Sequence, residues 1–277
     1  MPTINITGKT ADDAQIYYKD WGVGPPIVLC HGWPLNADMW EYQMNFLANN
    51  GHRVIAYDRR GFGRSSQPWT GYDYDTFADD LATVINHLDL QNVMLVGFSM
   101  GGGEVARYLS RHRSKRTSKA VLLGSVTPLM IRRDDNPEGI DPHIFDGMRQ
   151  QLVQDRADFL NAFGPIFTGS TLPNSPVTKS MLEWTFFMAL QASLKGTFDC
   201  VQAFSETDFR EDLKNIDIPT LIIHGTCDAV VPIDVTARAS AELIPGSTLK
   251  LYDGAPHALY FTHKDQVNAD LLDFARS

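Results

Sequence analysis

Short apolar runs that recur at the ends of helix-length stretches constrain this chain more than any other feature. "PIVLC" runs up to His31, "RVIAYD" ends at Asp58, "VMLVGF" leads into Ser99, "KAVLLGS" ends near Ser125, and "PTLIIHG" and "STLKLYDG" follow later. These runs are apolar throughout rather than alternating, so a strand made from one of them has to be covered on both faces. Covering both faces of parallel strands takes crossover helices, which predicts an α/β fold with a doubly wound, mostly parallel sheet. Between the runs lie "ADMWEYQMNFLANNG", stopped by Gly51, and "DTFADDLATVINHLDL", with Asp75 expected as its N-cap. "QIYYKDWG" does alternate and is followed by Gly and Pro, which predicts an antiparallel edge strand.

The rhythm breaks over 127–206. Pro and Gly are scattered through "TPLMIRRDDNPEGIDP" and "TGSTLPNSPVT", and the apolar content gathers in pieces such as "MLEWTFFMALQASL". The expected organisation is a core in two parts, 1–126 and 207–277, with a helical cap at 127–206. An insertion into a doubly wound sheet is expected over the carboxyl ends of the strands, where ligands bind in open α/β sheets.

Charge and cysteine usage exclude several classes. A formal net charge of −9, from 24 basic and 33 acidic residues, argues against a nucleic-acid or anionic-membrane partner. The one basic cluster, "RYLSRHRSKR", is expected to end a helix, where cations suit the negative end of the macrodipole. Cys30, Cys200 and Cys227 are far apart and odd in number, and they lack metal-ligand spacing, so neither a disulfide framework nor a metal site is expected. The N-terminal stretch lacks a basic segment followed by an apolar one, and no apolar run is long enough to span a membrane; the expected location is the cytoplasm. Homo-oligomerisation is left open.

Gly97-Phe98-Ser99-Met100-Gly101 sits between the apolar run "VMLVGF" and a helical pattern. A chain of this length meets G-x-S-x-G by chance roughly 0.1 times. In this setting the glycines permit a sharp strand-to-helix turn that raises the Ser99 hydroxyl for attack, whereas the plainer reading is a glycine-rich turn that tolerates serine. A serine nucleophile needs a base, and the base needs an orienting acid. In the chain order Ser, Asp, His, Asp228 follows "PTLIIHG" and His257 follows "STLKLYDG", both just past strands. Asp253 competes with Asp228 but precedes Gly254, where a turn-forming role is the simpler account. His31 and His224 also follow strands, each next to a glycine, and read as turn-shaping. The expected oxyanion donors are the backbone amides of Met100, next after the nucleophile, and Trp33, in the loop "HGWP" after an earlier strand.

Trp33 and Pro34, Phe98 beside the nucleophile, and Trp184, Phe187 and Met188 of the insertion are expected to line the substrate pocket; for the last three, core packing is the alternative. Proline fixes its own φ and biases its predecessor, so Pro34 is expected to confine the Trp33 peptide, with the Trp33 carbonyl aimed at an incoming peroxide. "DRRGFGRSS" lacks the GK[ST] of a phosphate loop and the G-x-G-x-x-G of a dinucleotide site; Asp58 and Arg60 read as loop-bracing partners.

"HGWP", "DRRGFGRSS", "GFSMGGGEVARY", "AFSETDF", "HGTCDAVVP" and "GAPHALY" together resemble the α/β-hydrolase superfamily, and within it the cofactor-free haloperoxidase and aryl esterase group. The similarity covers nearly the whole chain; the methionine after Ser99 varies among relatives, and Tyr260 departs from their usual pattern. The resemblance implies ester hydrolysis and, with peroxide, peracid formation, with no metal, haem or other cofactor. The residues alone supply a serine acyl-transfer enzyme acting on a small ester or acyl substrate. Its rivals are a lactamase or C–C bond hydrolase with the same triad, or a small-molecule receptor that keeps the fold.

Overall fold

The computed structural model describes residues 1–7, 11–113 and 115–277. Its elements run β1 (Thr3–Ile6), β2 (Ala14–Trp21), β3 (Pro26–Cys30), α1 (Glu41–Asn49), β4 (Arg53–Tyr57), α2 (Tyr74–His87), β5 (Val93–Phe98), α3 (Met100–His112) and β6 (Thr117–Leu123). Then come α4 (Pro142–Thr168), α5 (Lys179–Leu190), α6 (Leu194–Glu206), α7 (Arg210–Lys214), β7 (Thr220–Gly225), α8 (Ala239–Leu243), β8 (Thr248–Tyr252), α9 (Leu259–Thr262) and α10 (Lys264–Arg276).

The strands form one sheet of eight in the order β1-β2-β4-β3-β5-β6-β7-β8. β1 and β2 are antiparallel to their neighbours, and all pairs from β4 onward are parallel. This is the α/β-hydrolase fold, a mostly parallel sheet wrapped by helices, with α4, α5 and α6 as cap helices between β6 and β7. The apolar runs divide as their pleat dictates. Val93 and Leu95 of β5 enter one core with Phe77 and Leu81 of α2, while Met94, Val96 and Phe98 enter the other with Met44 of α1 and Leu271 of α10. The chain winds outward from β3 to β4 and then returns to lay β5 on the other side of β3, so the crevice at a reversal of strand order opens beyond the ends of β3 and β5.

Three sequence expectations are corrected. β2 is antiparallel but is not the edge strand, because the four-residue β1 pairs outside it. The N-cap of α2 is Asp73, whose carboxylate accepts from the Thr76 amide at 2.9 Å; Asp75 lies inside the first turn and pairs with Arg107. Asp58 and Arg60 both brace loops, but not each other: Asp58 pairs with Arg64, and Arg60 with Asp80. The basic stretch does end α3, and Arg107, Arg111 and Arg116 are paired with Asp75, Asp79 and Asp89; its Ser114 lies outside the described residues. None of the described helices is long and apolar enough to cross a membrane.

In the cap, α4 is two helical pieces. Asp155 breaks the helix with φ −155° and ψ 92°, and its carboxylate accepts from the Asp158 amide at 3.0 Å, so it starts the second piece as an internal N-cap. Gly169, at φ +66°, ends that piece in the left-handed conformation that glycine adopts without strain.

Candidate active site

Ser99 stands between β5 and α3 at φ +53° and ψ −119°, an uncommon conformation for a residue with a side chain. The neighbouring glycines make the turn sterically possible. A Cβ on Gly97 would lie 2.3 Å from the Gly101 carbonyl oxygen, and one on Gly101 would lie 2.3 Å from the carbonyl oxygen of Cys30. The strand and helix ends therefore close on each other, and the serine is pushed out at the top; its amide is pinned to the Leu123 carbonyl of β6 at 2.9 Å.

Three loops from separate strand ends meet there. His257, between β8 and α9, places Nε2 3.0 Å from Ser99 Oγ and Nδ1 2.6 Å from Asp228 Oδ2. A carboxylate only accepts, so the Nδ1 proton faces Asp228 and Nε2 is left to accept from the serine hydroxyl. The imidazole is 1% exposed and lies between Phe98 and Phe167, at ring distances of 4.9 and 5.2 Å. Asp228, in the loop after β7, is held from its other oxygen by the amides of Val230 and Val231 at 2.9 and 2.8 Å. Burial works against its charge, but His257 and His224 outweigh it and hold the carboxyl well below its ordinary value. Asp253 is exposed and accepts from Thr226 Oγ1 at 3.3 Å.

His224 differs from the sequence expectation. Its Nε2 is 2.9 Å from the Val231 carbonyl, which braces the loop after β7, and 3.2 Å from Asp228 Oδ2, so beyond shaping the turn it is a second histidine on the carboxylate that meets His257. The spacing i, i+4 was the available signal. Arg59 was also missed: its side chain is fully buried against Glu104, with Nη1 3.9 Å from Met100 Sδ.

A cavity of about 380 Å³ opens beside Ser99 and His257. Its walls are apolar: Trp33, Val126, Phe145, Phe159, Phe163 and Phe167, with the loop of Val230 and Val231 among the others. Trp33 is fixed by a hydrogen bond from its indole N–H to the Thr197 carbonyl at 3.0 Å and by edge contacts to Phe163 and Phe204. The other expected pocket residues lie elsewhere. Phe98 is wholly buried beneath His257, and Pro34 borders a separate small cavity behind Phe163 and Phe167. Trp184 faces Tyr42, Phe187 is 62% exposed, and Met188 is buried in a core cluster.

The reason is the placement of α5. Thr185, Phe186 and Ala189 of α5 meet the side of α4 that faces the small cavity, so α4 stands between α5 and Ser99. Phe159, Phe163 and Phe167, which do border the cavity, are spaced i, i+4, i+8 along one helical face. Met100 is the first residue of α3, so its amide is among the donors left without an intrahelical partner. The peptide between Trp33 and Pro34 is cis. Among the described residues, no group of three or more His, Cys, Asp or Glu side chains is arranged to hold a metal ion.

Residues 25–264 match the family described as alpha/beta hydrolase fold. The chain is 46% identical over 267 residues to a non-heme chloroperoxidase of Kitasatospora aureofaciens, covering 96% of this chain and 97% of that protein. It is 42% identical over 272 residues to a bifunctional esterase/perhydrolase of Acinetobacter calcoaceticus, covering 97% and 98%. Among solved structures, a bromoperoxidase from Bacillus anthracis superposes with a TM-score of 0.95 at 46% identity, each chain covered completely.

Proposed function

The chain belongs to the alpha/beta hydrolase family, and from that premise we propose that it is a serine esterase which also makes peracids when hydrogen peroxide replaces water. The observation that carries the reading is the continuous line Ser99 Oγ, His257 Nε2, His257 Nδ1, Asp228 Oδ2, at 3.0 and 2.6 Å, at the mouth of an apolar cavity. The names of the relatives, esterase/perhydrolase and non-heme chloroperoxidase, supply the two acyl acceptors.

In this reading Ser99 attacks the ester carbonyl as its proton passes to His257 Nε2. The Trp33 and Met100 amides hold the oxyanion, and Asp228 orients His257 and stabilises the imidazolium. Collapse expels the alcohol, which takes the proton from His257 and leaves an acyl-Ser99 ester. Water, deprotonated by the same imidazole, then releases the carboxylic acid; hydrogen peroxide attacking through one oxygen releases the peracid instead. The peracid oxidises halide to hypohalous acid in solution and returns to the carboxylic acid. A cavity walled by phenylalanine, valine and methionine suits small neutral esters with apolar or aryl groups. The division into a core at 1–126 and 207–277 with a cap at 127–206, and a cytoplasmic location, belong to the same proposal; the cysteines are free thiols in the structure.

The test is a pre-steady-state burst of p-nitrophenol from p-nitrophenyl acetate, titrated by a serine-reactive phosphonate. A stoichiometric burst is expected, and binding without a burst would favour a receptor. Acetate with hydrogen peroxide is expected to give peracetic acid and bromide-dependent bromination of a dye; absence of peracid would remove the perhydrolase half of the reading.

Pro34 enters the same comparison. Its ring restricts the backbone next to Trp33 and it has no N–H, so leucine there frees the Trp33 carbonyl. Peroxide, with its second oxygen, can donate to that carbonyl at a reach water lacks. Pro34→Leu is therefore expected to lower the ratio of perhydrolysis to hydrolysis, measured on one enzyme preparation. An unchanged ratio would leave Pro34 as a loop-shaping residue.

A further inference from the structure

We infer that the buried Arg59–Glu104 pair positions the oxyanion donors: it ties the loop that carries the Trp33 amide to the helix that carries the Met100 amide. The inference rests on the donor assignment in the proposed function. Arg59 follows β4, Glu104 lies on α3, and both side chains are 0% exposed. Neither residue borders the cavity, so neither touches substrate.

One side of Arg59 grips the loop after β3. Its Nη2 donates to the His31 carbonyl at 2.9 Å, and its backbone amide donates to His31 Nε2 at 3.0 Å. Because Nε2 accepts, the neutral ring carries its proton on Nδ1, which lies 2.9 Å from the Gly32 carbonyl oxygen; Arg59 Nη1 stands further off, 3.5 Å from the same nitrogen. Burial and the Arg59 charge hold His31 neutral, well below its ordinary value. The Gly32 carbonyl belongs to the same peptide group as the Trp33 N–H. In a trans peptide the two point in opposite directions, so anchoring the carbonyl aims the amide. The Leu35 amide donates to the same carbonyl at 3.0 Å and completes the anchor.

The other side of Arg59 grips the nucleophile helix. Nε donates to Glu104 Oε2 at 2.9 Å, Nη2 donates to the same oxygen, and Tyr57 Oη donates to Glu104 Oε1. Glu104 lies one helical turn beyond Met100, and Arg59 Nη1 is 3.9 Å from Met100 Sδ. One rigid guanidinium thus reaches both elements that present an oxyanion donor, a task its planar fork suits and a lysine does not.

Stability is a poor explanation for the pair, since replacing a buried ion pair by apolar groups of similar volume is often neutral or stabilising. Position is a better one. Two donors serve one oxyanion only if both reach it at hydrogen-bond distance, and an error of about 1 Å costs about 10²-fold in rate.

The test uses Arg59→Lys, Glu104→Gln and the apolar triple Tyr57→Phe/Arg59→Met/Glu104→Leu. Thermal unfolding is measured beside kcat and KM for p-nitrophenyl acetate and inhibition by phenylboronic acid, which forms a tetrahedral adduct on serine. Folded Arg59→Lys is expected to lose about 10- to 100-fold in kcat, against about 10²–10³ for loss of a whole donor. KM should stay within about twofold, boronate affinity should fall in step with kcat, and Glu104→Gln should move the same way by less. The triple should fold with an unfolding midpoint near the parent's and still lose kcat. Wild-type kcat and boronate affinity in folded variants would overturn the inference. So would failure of all three to fold, which would assign the pair to folding. Turnover retained by Ser99→Ala overturns the proposed function instead; a dead Ser99→Ala beside fully active Arg59 variants overturns only this inference.

Discussion

Ser99→Ala is expected to lower kcat for p-nitrophenyl acetate by about 10⁴-fold or more, leaving only what the oxyanion donors and binding contribute. The turn should survive, because the strain at φ +53° belongs to the backbone and alanine carries the same Cβ. Unfolding should therefore be close to the parent's, and the cavity should still bind substrate, with KM little changed. Kinetics on purified protein checks it, with phosphonate treatment of the variant sample used to titrate out any contaminating serine hydrolase. Near-parental turnover would remove Ser99 from the reaction.

His257→Ala is expected to act like Ser99→Ala, and Asp228→Asn to lower kcat by about 10³–10⁴ while the chain stays folded. With its oxygen kept by the Val230 and Val231 amides, an asparagine at 228 faces His257 with its NH2, so Nδ1 accepts, the ring proton sits on Nε2, and Nε2 no longer accepts from the serine. Asp253→Asn should be nearly silent, because its side chain is exposed and turned to Thr226. The reverse pattern, a crippled Asp253→Asn and a healthy Asp228→Asn, would reassign the acid. The Asp228 carboxyl is held below its ordinary range, so it remains ionised as pH falls through that range. Its stabilising contribution is present above the unfolded-state value and is lost only as pH falls through the lower folded-state value. Loss of the Asp228 charge is therefore not expected to limit activity as pH falls through the ordinary carboxylate range, and a pH profile of kcat/KM for Asp228→Asn beside the parent checks it.

The positions of Ser99, Asp228 and His257 were legible because each follows a run of strand character, and parallel strands deliver their ends to one edge of the sheet. These three residues sit where the periodicity stops, a place that sequence marks well. The wall of the cavity was not legible in the same way. In "EWTFFMAL" an apolar residue is available on every side of α5, and it is the packing of α5 in the folded chain that sends Met188 inward and Phe187 outward. Periodicity states that a face exists, not which neighbour it meets. Polar partners were hidden for a related reason. Asp58 and Arg60 look like neighbours two residues apart, yet successive loop side chains point differently and found Arg64 and Asp80. His224 beside a glycine resembled a turn former because its partner, Asp228, is reached only once the loop has folded back.

The break in α4 at Asp155 has a consequence for how this molecule can diversify. The second piece of that helix supplies Phe159, Phe163 and Phe167 to the cavity and has its own capped start and its own glycine stop. It is a self-delimited panel set against a sheet whose loops hold Ser99, Asp228 and His257. Under the proposed function, substitutions at Phe159 and Phe163 would therefore redraw the shape offered to an acyl or alcohol group while Ser99, His257 and Asp228 keep their places. In that reading, part of the selectivity is thus written apart from Ser99, Asp228 and His257, while Trp33 and the Val230–Val231 loop, which border the cavity and serve the reacting groups as well, are not free to drift in the same way.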